Sequence, residues 1–201
     1  ILSGLMRLRQ ICDTPKLFME DYDGESGKLE SLRELLEQIQ GGNHRVLIFS
    51  QFRGMLDIIE QELSQMGMES FKITGSTPAK ERQEMTKAFN QGERSAFLIS
   101  LKAGGVGLNL TGANTVILVD LWWNPAVEAQ AIGRAHRIGQ ERNVKVYRMI
   151  TRGTIEEKIQ ELQDTKRNLV STILDGAESR SSLSMEEIRE ILGISSELLE
   201  K

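Results

Sequence analysis

Short apolar runs alternate with amphipathic segments through most of this chain of 201 residues. The run Arg45-Val-Leu-Ile-Phe-Ser50 is typical of a strand that is buried on both faces. Strands that alternate with helices predict an α/β fold, in which helices cover both faces of a parallel sheet. The predicted strands are 45–50, 70–74, 96–100, 115–120 and 144–150.

Apolar residues at helical spacing predict the helices between and after these strands. Thr154-Ile-Glu-Glu157 is a capping box at the start of a long helix, and a short final helix begins at Ser184. The predicted helices are 1–12, 27–40, 55–66, 78–90, 125–138, 154–174 and 184–192. We therefore divide the chain into a leading helix with a polar hinge, an α/β domain, a long helix, and a linker with a terminal helix, at 1–26, 27–152, 153–176 and 177–201.

Composition argues against several classes of protein. No apolar run approaches the roughly 18 residues that span a bilayer, and the first residues lack the charged head of a signal peptide, so no membrane partner is expected. The single cysteine excludes an internal disulfide. Cys12, His44 and His136 do not have the spacing of metal ligands, so no metal site is expected on this chain.

Charge is unevenly distributed along the chain. The formal net charge is −4, and residues 153–201 hold eleven acidic and six basic residues. Residues 128–152 hold six Lys or Arg and only two Glu. Because the acidity lies in the tail, the low net charge is compatible with a local basic face that binds nucleic acid.

The segments that follow the strands are where function is expected, because parallel sheets bind ligands beyond the carboxyl ends of their strands. The segment Ser100-Leu-Lys-Ala-Gly-Gly-Val-Gly-Leu-Asn-Leu-Thr111 follows a strand directly. Its glycines allow the backbone to approach a ligand closely, and exposed amides there can bind phosphate oxygens. The alternative is a tight connection without a ligand.

The segment Gln130-Ala-Ile-Gly-Arg134-Ala-His-Arg137 has the spacing of one helix stripe, because Gln130, Arg134 and Arg137 stand at i, i+4 and i+7. Two guanidinium groups on adjacent turns are costly to bury without anions. Directed at a nucleotide polyphosphate, they can clamp the charge that develops on the transferred phosphoryl group. The alternative is a solvated surface helix that happens to carry two arginines.

With these motifs the chain resembles the C-terminal RecA-like lobe of the Swi/Snf family of ATP-dependent DNA translocases, in helicase superfamily two. The matching segments occur in the family's order, and Arg-Ala-His-Arg-Ile-Gly-Gln at 134–140 is the most specific of them. Gly133 stands where many members carry Asp, and it matches other helicase families. The matching segments are 8–12, 46–52, 74–76, 88–90, 100–110, 120–125, 134–140 and 153–158.

The resemblance implies a role for each motif. Arg134 and Arg137 would be the catalytic arginine fingers, and Gln130 would orient them or the γ-phosphate. The segment with Gly105, Gly107 and Asn109 would lie near the nucleotide ribose or the interface between lobes. The residues that would face the DNA backbone or its groove are Gln51, Gly75, Ser76, Ser100, Lys102 and Trp123. Of the adjacent tryptophans Trp122 and Trp123, one would pack inside while the other points outward.

The chain lacks Gly-x-x-x-x-Gly-Lys-Ser/Thr and a strand-ending Asp-Glu pair, so ATP with Mg²⁺ would be held mainly by an N-terminal lobe of the same protein. The resemblance implies double-stranded DNA and that lobe as partners, and a protein on the DNA as a substrate. The helix at 153–176 would be the family's brace helix. The location would be the bacterial nucleoid in the cytoplasm or the eukaryotic nucleus. The alternatives are a lobe of a strand-separating helicase and a non-catalytic interaction module.

Overall fold

The computed structural model of this chain describes residues 2–19, 21–101, 103, 107–172 and 184–192. Five strands in these ranges form one sheet in which every pairing is parallel, in the order β2-β3-β1-β4-β5. The strands are β1 (Val46–Ser50), β2 (Ser70–Ile73), β3 (Ala96–Ser100), β4 (Thr115–Leu118) and β5 (Lys145–Arg148). Since the strands are parallel, all five carboxyl ends lie at one edge, which we call the carboxyl edge. The predicted α/β fold with a parallel sheet is confirmed.

The helices follow the predicted order, with two corrections to their boundaries. They are α1 (Leu2–Asp13), α2 (Gly27–Gly41), α3 (Arg53–Gln65), α4 (Ala79–Asn90), α5 (Pro125–Ile132), α6 (Ile155–Thr172) and α7 (Met185–Leu192). Helix α5 ends six residues before the predicted position 138. Pro78 is the N-cap of α4 and not its first helical residue. Within the described ranges, no helix is long and apolar enough to cross a membrane.

Alternate residues of each inner strand enter two different cores. In β1, Val46 and Ile48 pack with α2 and α3, whereas Leu47 and Phe49 pack on the opposite face with residues of α4 and α5. All five residues of β1 are buried, as expected for a central strand of a parallel sheet. A third cluster joins α1, α6 and α7 to the segment after β4.

A cluster of buried charges attaches α1, α2 and α6 to the sheet. The Lys28 ammonium donates to Asp13 at 2.8 Å and to Glu156 at 2.6 and 2.8 Å, and it also donates to the Val119 carbonyl. Burial opposes the ammonium, but the two carboxylates outweigh it and raise the pKa of Lys28. Burial, reinforced by the nearby Asp120, raises the pKa of Asp13 well above its ordinary value.

Both C-terminal helices begin with side-chain caps, and both dock onto the rest of the lobe. At the start of α6 the Thr154 hydroxyl accepts from Glu156 N, while Glu157 accepts from Gly153 N. Before α7 the Ser184 hydroxyl accepts from Glu187 N, and the Glu187 carboxylate accepts from Ser184 N, which completes a capping box. An ion pair of 2.7 Å between Lys166 and Glu187 links the two helices.

Candidate functional site

Four segments that follow neighbouring strands meet at the carboxyl edge. Gly75 and Ser76 come after β2, Ser100 ends β3, Gln51 follows β1, and Trp123 lies beyond β4. The sequence therefore predicts correctly that these residues share one edge of the sheet. Their exposure, however, differs strongly.

Gly75 and Ser76 are the exposed members of this set. The Ser76 hydroxyl lies 2.9 Å from the Thr74 hydroxyl. Arg82 of α4 donates to the carbonyls of Thr74, Gly75 and Thr77, at 3.3, 3.1 and 2.7 Å, and thereby holds this turn in place. The exposed turn offers a hydroxyl and backbone amides to a ligand, which suits contacts to phosphate oxygens.

Ser100 and Trp123 are buried, which is contrary to their predicted exposure to DNA. Each has an exposed fraction of 7%. The Ser100 hydroxyl accepts from Ala103 N at 3.3 Å, so it stabilises its own loop. The Trp123 ring fills the third cluster and has the Arg9 guanidinium 4.5 Å from its centroid. Trp122 is the more exposed of the adjacent pair.

Gln51 is half-buried, and both ends of its amide are bonded inside the protein. Its Nε2 donates to Asp120 Oδ1 at 2.6 Å, and its Oε1 accepts from Arg9 Nη1 at 2.8 Å. In this conformation the Gln51 amide is bonded within the lobe, and its contact with DNA stays a prediction. The side chain joins the segments after β1 and β4 to α1, because Asp120 follows β4.

Two further predicted residues, Lys102 and Gly105, lie outside the described residues. Gly107 and Asn109 are described, and both are exposed. The Asn109 carbonyl accepts from Asn90 Nδ2 at 2.8 Å, which fixes this part of the glycine-rich segment to the end of α4.

The two arginines lie in successive turns after α5 and do not share a helix stripe, because the helix ends at Ile132. Arg134 is buried, with 2% of its surface exposed, whereas Arg137 and Gln130 are exposed. Arg137 Nε donates to the Gly133 carbonyl at 3.1 Å. We call residues 133–138 the arginine turn.

Like charges are held close together in this turn. Burial lowers the pKa of Arg134, and the positive charge of Arg137 lowers it further. An arginine remains charged despite such shifts, so the arrangement keeps two cations within each other's field. A polyanion placed beside them would relieve that repulsion. The donor set thus fits a phosphate-bearing ligand.

The arginine turn is bonded to the end of the glycine-rich segment. Leu110 N donates to the Arg134 carbonyl at 2.9 Å. Gln140 Nε2 lies 3.1, 2.7 and 3.1 Å from the carbonyls of Thr111, Ala113 and Ala135. The two motifs that are predicted to bind the nucleotide are therefore one structural unit. Gln140 is not among the predicted site residues, although it ends the most specific matching segment.

Buried Glu128 anchors α5, the helix that leads into the arginine turn. Its Oε1 accepts from Trp122 N at 3.2 Å and from Gln163 Nε2 at 2.5 Å, and its Oε2 lies 3.2 Å from Arg148 Nε. Gln163 belongs to α6 and also donates to the Trp122 carbonyl. One carboxylate thus joins α5, α6 and β5.

Arg53 is a second residue that the motifs do not predict. It is exposed and begins α3 directly after β1, so it adds a cation to the carboxyl edge. The signal available in the sequence is its place two residues after Gln51, beyond a predicted strand.

Comparison with known proteins gives consistent matches. Residues 27–139 match the family model described as the helicase conserved C-terminal domain. Bacillus subtilis YwqA, whose name describes an ATP-dependent helicase/translocase, is 44% identical over 97% of this chain. The mouse SWI/SNF-related matrix-associated actin-dependent regulator of chromatin subfamily A member 1 is 43% identical over 87% of the chain. The chain spans 22% and 18% of the lengths of these two relatives.

Solved structures of related ATPase domains share this RecA-like fold. The Sulfolobus solfataricus SWI2/SNF2 ATPase core, in complex with double-stranded DNA, is 36% identical with a TM-score of 0.74, and the match covers 95% of this chain and 41% of that one. The C-terminal part of the Fun30 ATPase domain is 33% identical with a TM-score of 0.67, and here the match covers 91% of this chain and 56% of that one.

Proposed function

Because this chain belongs to the helicase C-terminal domains of the Swi/Snf family, we propose that it is the second motor lobe of an ATP-dependent translocase on double-stranded DNA. Its arginine turn acts on the nucleotide, and its carboxyl edge contacts the DNA backbone. ATP with Mg²⁺ is held mainly by an N-terminal lobe of the same protein. Hydrolysis supplies the free energy for stepping along the duplex.

The observation that carries this proposal is the set of hydrogen bonds that join the arginine turn to the glycine-rich segment. Bonds from Leu110 and Gln140 hold Arg134 and Arg137 beside the segment that contains Gly107 and Asn109. Arg134 is buried in the turn, whereas exposed Arg137 is available to a ligand on another lobe. Preorganised guanidinium groups stabilise the charge that develops during phosphoryl transfer. Gln130, exposed on α5, is assigned to orienting the γ-phosphate.

The test compares Arg137→Ala with Arg142→Ala in the full-length protein. Both changes remove one positive charge from an exposed arginine, and Arg142 lies outside the arginine turn. Arginine fingers contribute about 10³–10⁵ in rate where measured, so we expect Arg137→Ala to lower turnover by about a thousandfold or more. Nucleotide affinity should change far less, since the phosphate cradle lies on the other lobe. Equal turnover in the two variants would refute the role of Arg137.

The isolated lobe is expected not to hydrolyse ATP, because its sequence lacks the lysine cradle and the metal-binding carboxylates of such motors. Turnover is measured on the purified chain before and after an added chromatographic step. An ATPase activity per mole of chain that is unchanged by the added step would contradict the assignment of the phosphate cradle and the metal site to the N-terminal lobe.

Contact with DNA is proposed to run along the carboxyl edge, through the turn at Gly75 and Ser76 and the exposed Arg53. Such contacts position a protein on the duplex without reading its sequence. The salt dependence is the slope of log K for duplex binding against log salt concentration. In the full-length protein, Arg53→Ala should reduce the magnitude of this slope by about one unit. Lys145→Ala removes the same charge at the opposite edge and should leave the slope unchanged. A sequence-selective loss with Arg53→Ala would mean that this edge reads bases.

A further inference from the structure

Arg9 is a charged residue of α1 that is buried at the carboxyl edge, and the roles proposed above do not involve it. Only 1% of its surface is exposed. Burial disfavours a charged group unless bonds and counter-charges offset the lost hydration, so the contacts of Arg9 decide whether it is tolerated there.

The guanidinium of Arg9 bridges two segments that are distant in sequence. Nη1 donates to Gln51 Oε1 at 2.8 Å, in the segment after β1. Nη2 donates to the Leu121 carbonyl and lies 3.9 Å from Asp120 Oδ1, in the segment after β4. Gln51 also bonds directly to Asp120, so these groups form a closed network.

Aromatic rings from the same two segments surround the cation. The Arg9 Cζ lies 4.5 Å from the centroid of the Trp123 ring, 5.8 Å from that of Trp122 and 5.6 Å from that of Phe52. A planar guanidinium can stack on a ring while its edges donate hydrogen bonds, whereas an ammonium is a compact point charge. The site is therefore suited to arginine in particular.

The segment that Arg9 holds leads directly into the arginine turn. Asn124 follows Trp123 and is the N-cap of α5, with its Oδ1 accepting from Ala126 N at 3.0 Å. Helix α5 has eight residues and is therefore about 12 Å long, and Arg134 lies two residues beyond its end. Residues 121–123 and the two arginines are thus joined through one short helix.

We propose that Arg9 is a positioning residue for the reaction: by fixing residues 120–123 it sets the place of the arginine turn and couples α1 to ATP turnover. This inference rests on the proposed function. It assigns to α1, the element nearest the start of the chain, control over where the arginines lie when the two lobes close.

The test measures DNA-stimulated ATP turnover of the full-length protein with Arg9→Lys. The assay runs at a temperature at least ten degrees below the unfolding midpoint of every variant, so that only folded protein is compared. We expect kcat to fall at least tenfold while KM for ATP changes less than threefold. Arg7→Lys, an exposed change on the same helix, should leave both constants unchanged. A loss of kcat without a change in KM is not what a merely structural role produces in fully folded protein.

Asp120→Asn changes the same network from the segment after β4. It is a second test of the proposal if Arg9→Lys does not fold. It should also lower kcat with little change in KM. In the double variant the losses should not multiply, because both changes disturb one network. An unchanged kcat in either folded variant, or fully multiplied losses, would overturn the inference. Absence of DNA-stimulated turnover in the wild-type protein would instead refute the proposed function.

Discussion

Replacing Gln140 by alanine should loosen the arginine turn by an amount that follows from its hydrogen bonds. Gln140 Nε2 carries two hydrogens and faces three carbonyl oxygens, of Thr111, Ala113 and Ala135, at 2.7 to 3.1 Å. At most two strong bonds can form at one time. A net hydrogen bond contributes about 1 kcal/mol, and water can replace the exposed bond that Gln140 Oε1 accepts from Arg142 N, so the loss is about 2 kcal/mol of unfolding free energy.

The assay is urea unfolding of the 201-residue chain, followed by circular dichroism. With a slope of about 2 kcal/mol per molar urea, a loss of about 2 kcal/mol moves the midpoint down by about 1 M. Gln91→Ala is the matched control, because Gln91 is exposed and caps α4 through its backbone alone. A change below about 0.5 kcal/mol for Gln140→Ala would refute the view that this amide clamps the turn.

Three further predictions concern the buried charges and the last helix. Lys28→Met leaves two buried carboxylates without their counter-charge and should lower the free energy of unfolding by about 3–5 kcal/mol. Lys80→Met, at a side chain that is 87% exposed, should leave this free energy almost unchanged. Because the pKa of Asp13 is raised in the folded state, its contribution to stability is full below pH 3.8 and is lost as pH rises through the folded pKa. Asp13→Asn should remove the fall in the unfolding midpoint that the titration of Asp13 causes as pH rises. An unchanged pH profile would contradict a raised pKa of Asp13. Ile188→Ala should weaken the docking of α7 by about 2–5 kcal/mol and speed amide exchange over residues 184–192 at least tenfold, whereas exposed Met185→Ala should not.

The order of strands and helices and the parallel sheet could be predicted from the sequence, because apolar periodicity reports which faces are buried. The family of the arginine motif could be predicted as well. The extent of α5 could not. The segment reads as one helix to position 138, but the chain leaves the helix after Ile132. The bond from Leu110 N to the Arg134 carbonyl is tertiary, as are those from Gln140 to the carbonyls of Thr111 and Ala113, and local spacing does not report them.

The exposure of single residues at the carboxyl edge was the least predictable feature. Gln51 and Trp123 have residue types that suit DNA contacts, yet Arg9 binds one and stacks on the other. That partner comes from a helix more than forty positions away in the sequence. Sequence position alone correctly assigns such residues to the edge of a sheet, but the partner decides whether a side chain faces solvent.

The central claim is that this lobe belongs to a motor driven by ATP along double-stranded DNA. The most direct measurement is the ATP turnover of the full-length protein without DNA, with saturating single strands, and with saturating duplex of mixed sequence. The account predicts strong stimulation by duplex, independent of its sequence, and much weaker stimulation by single strands. Equal stimulation by both forms would instead favour a strand-separating helicase. A rate that no DNA changes would favour a non-catalytic interaction module and contradict the account.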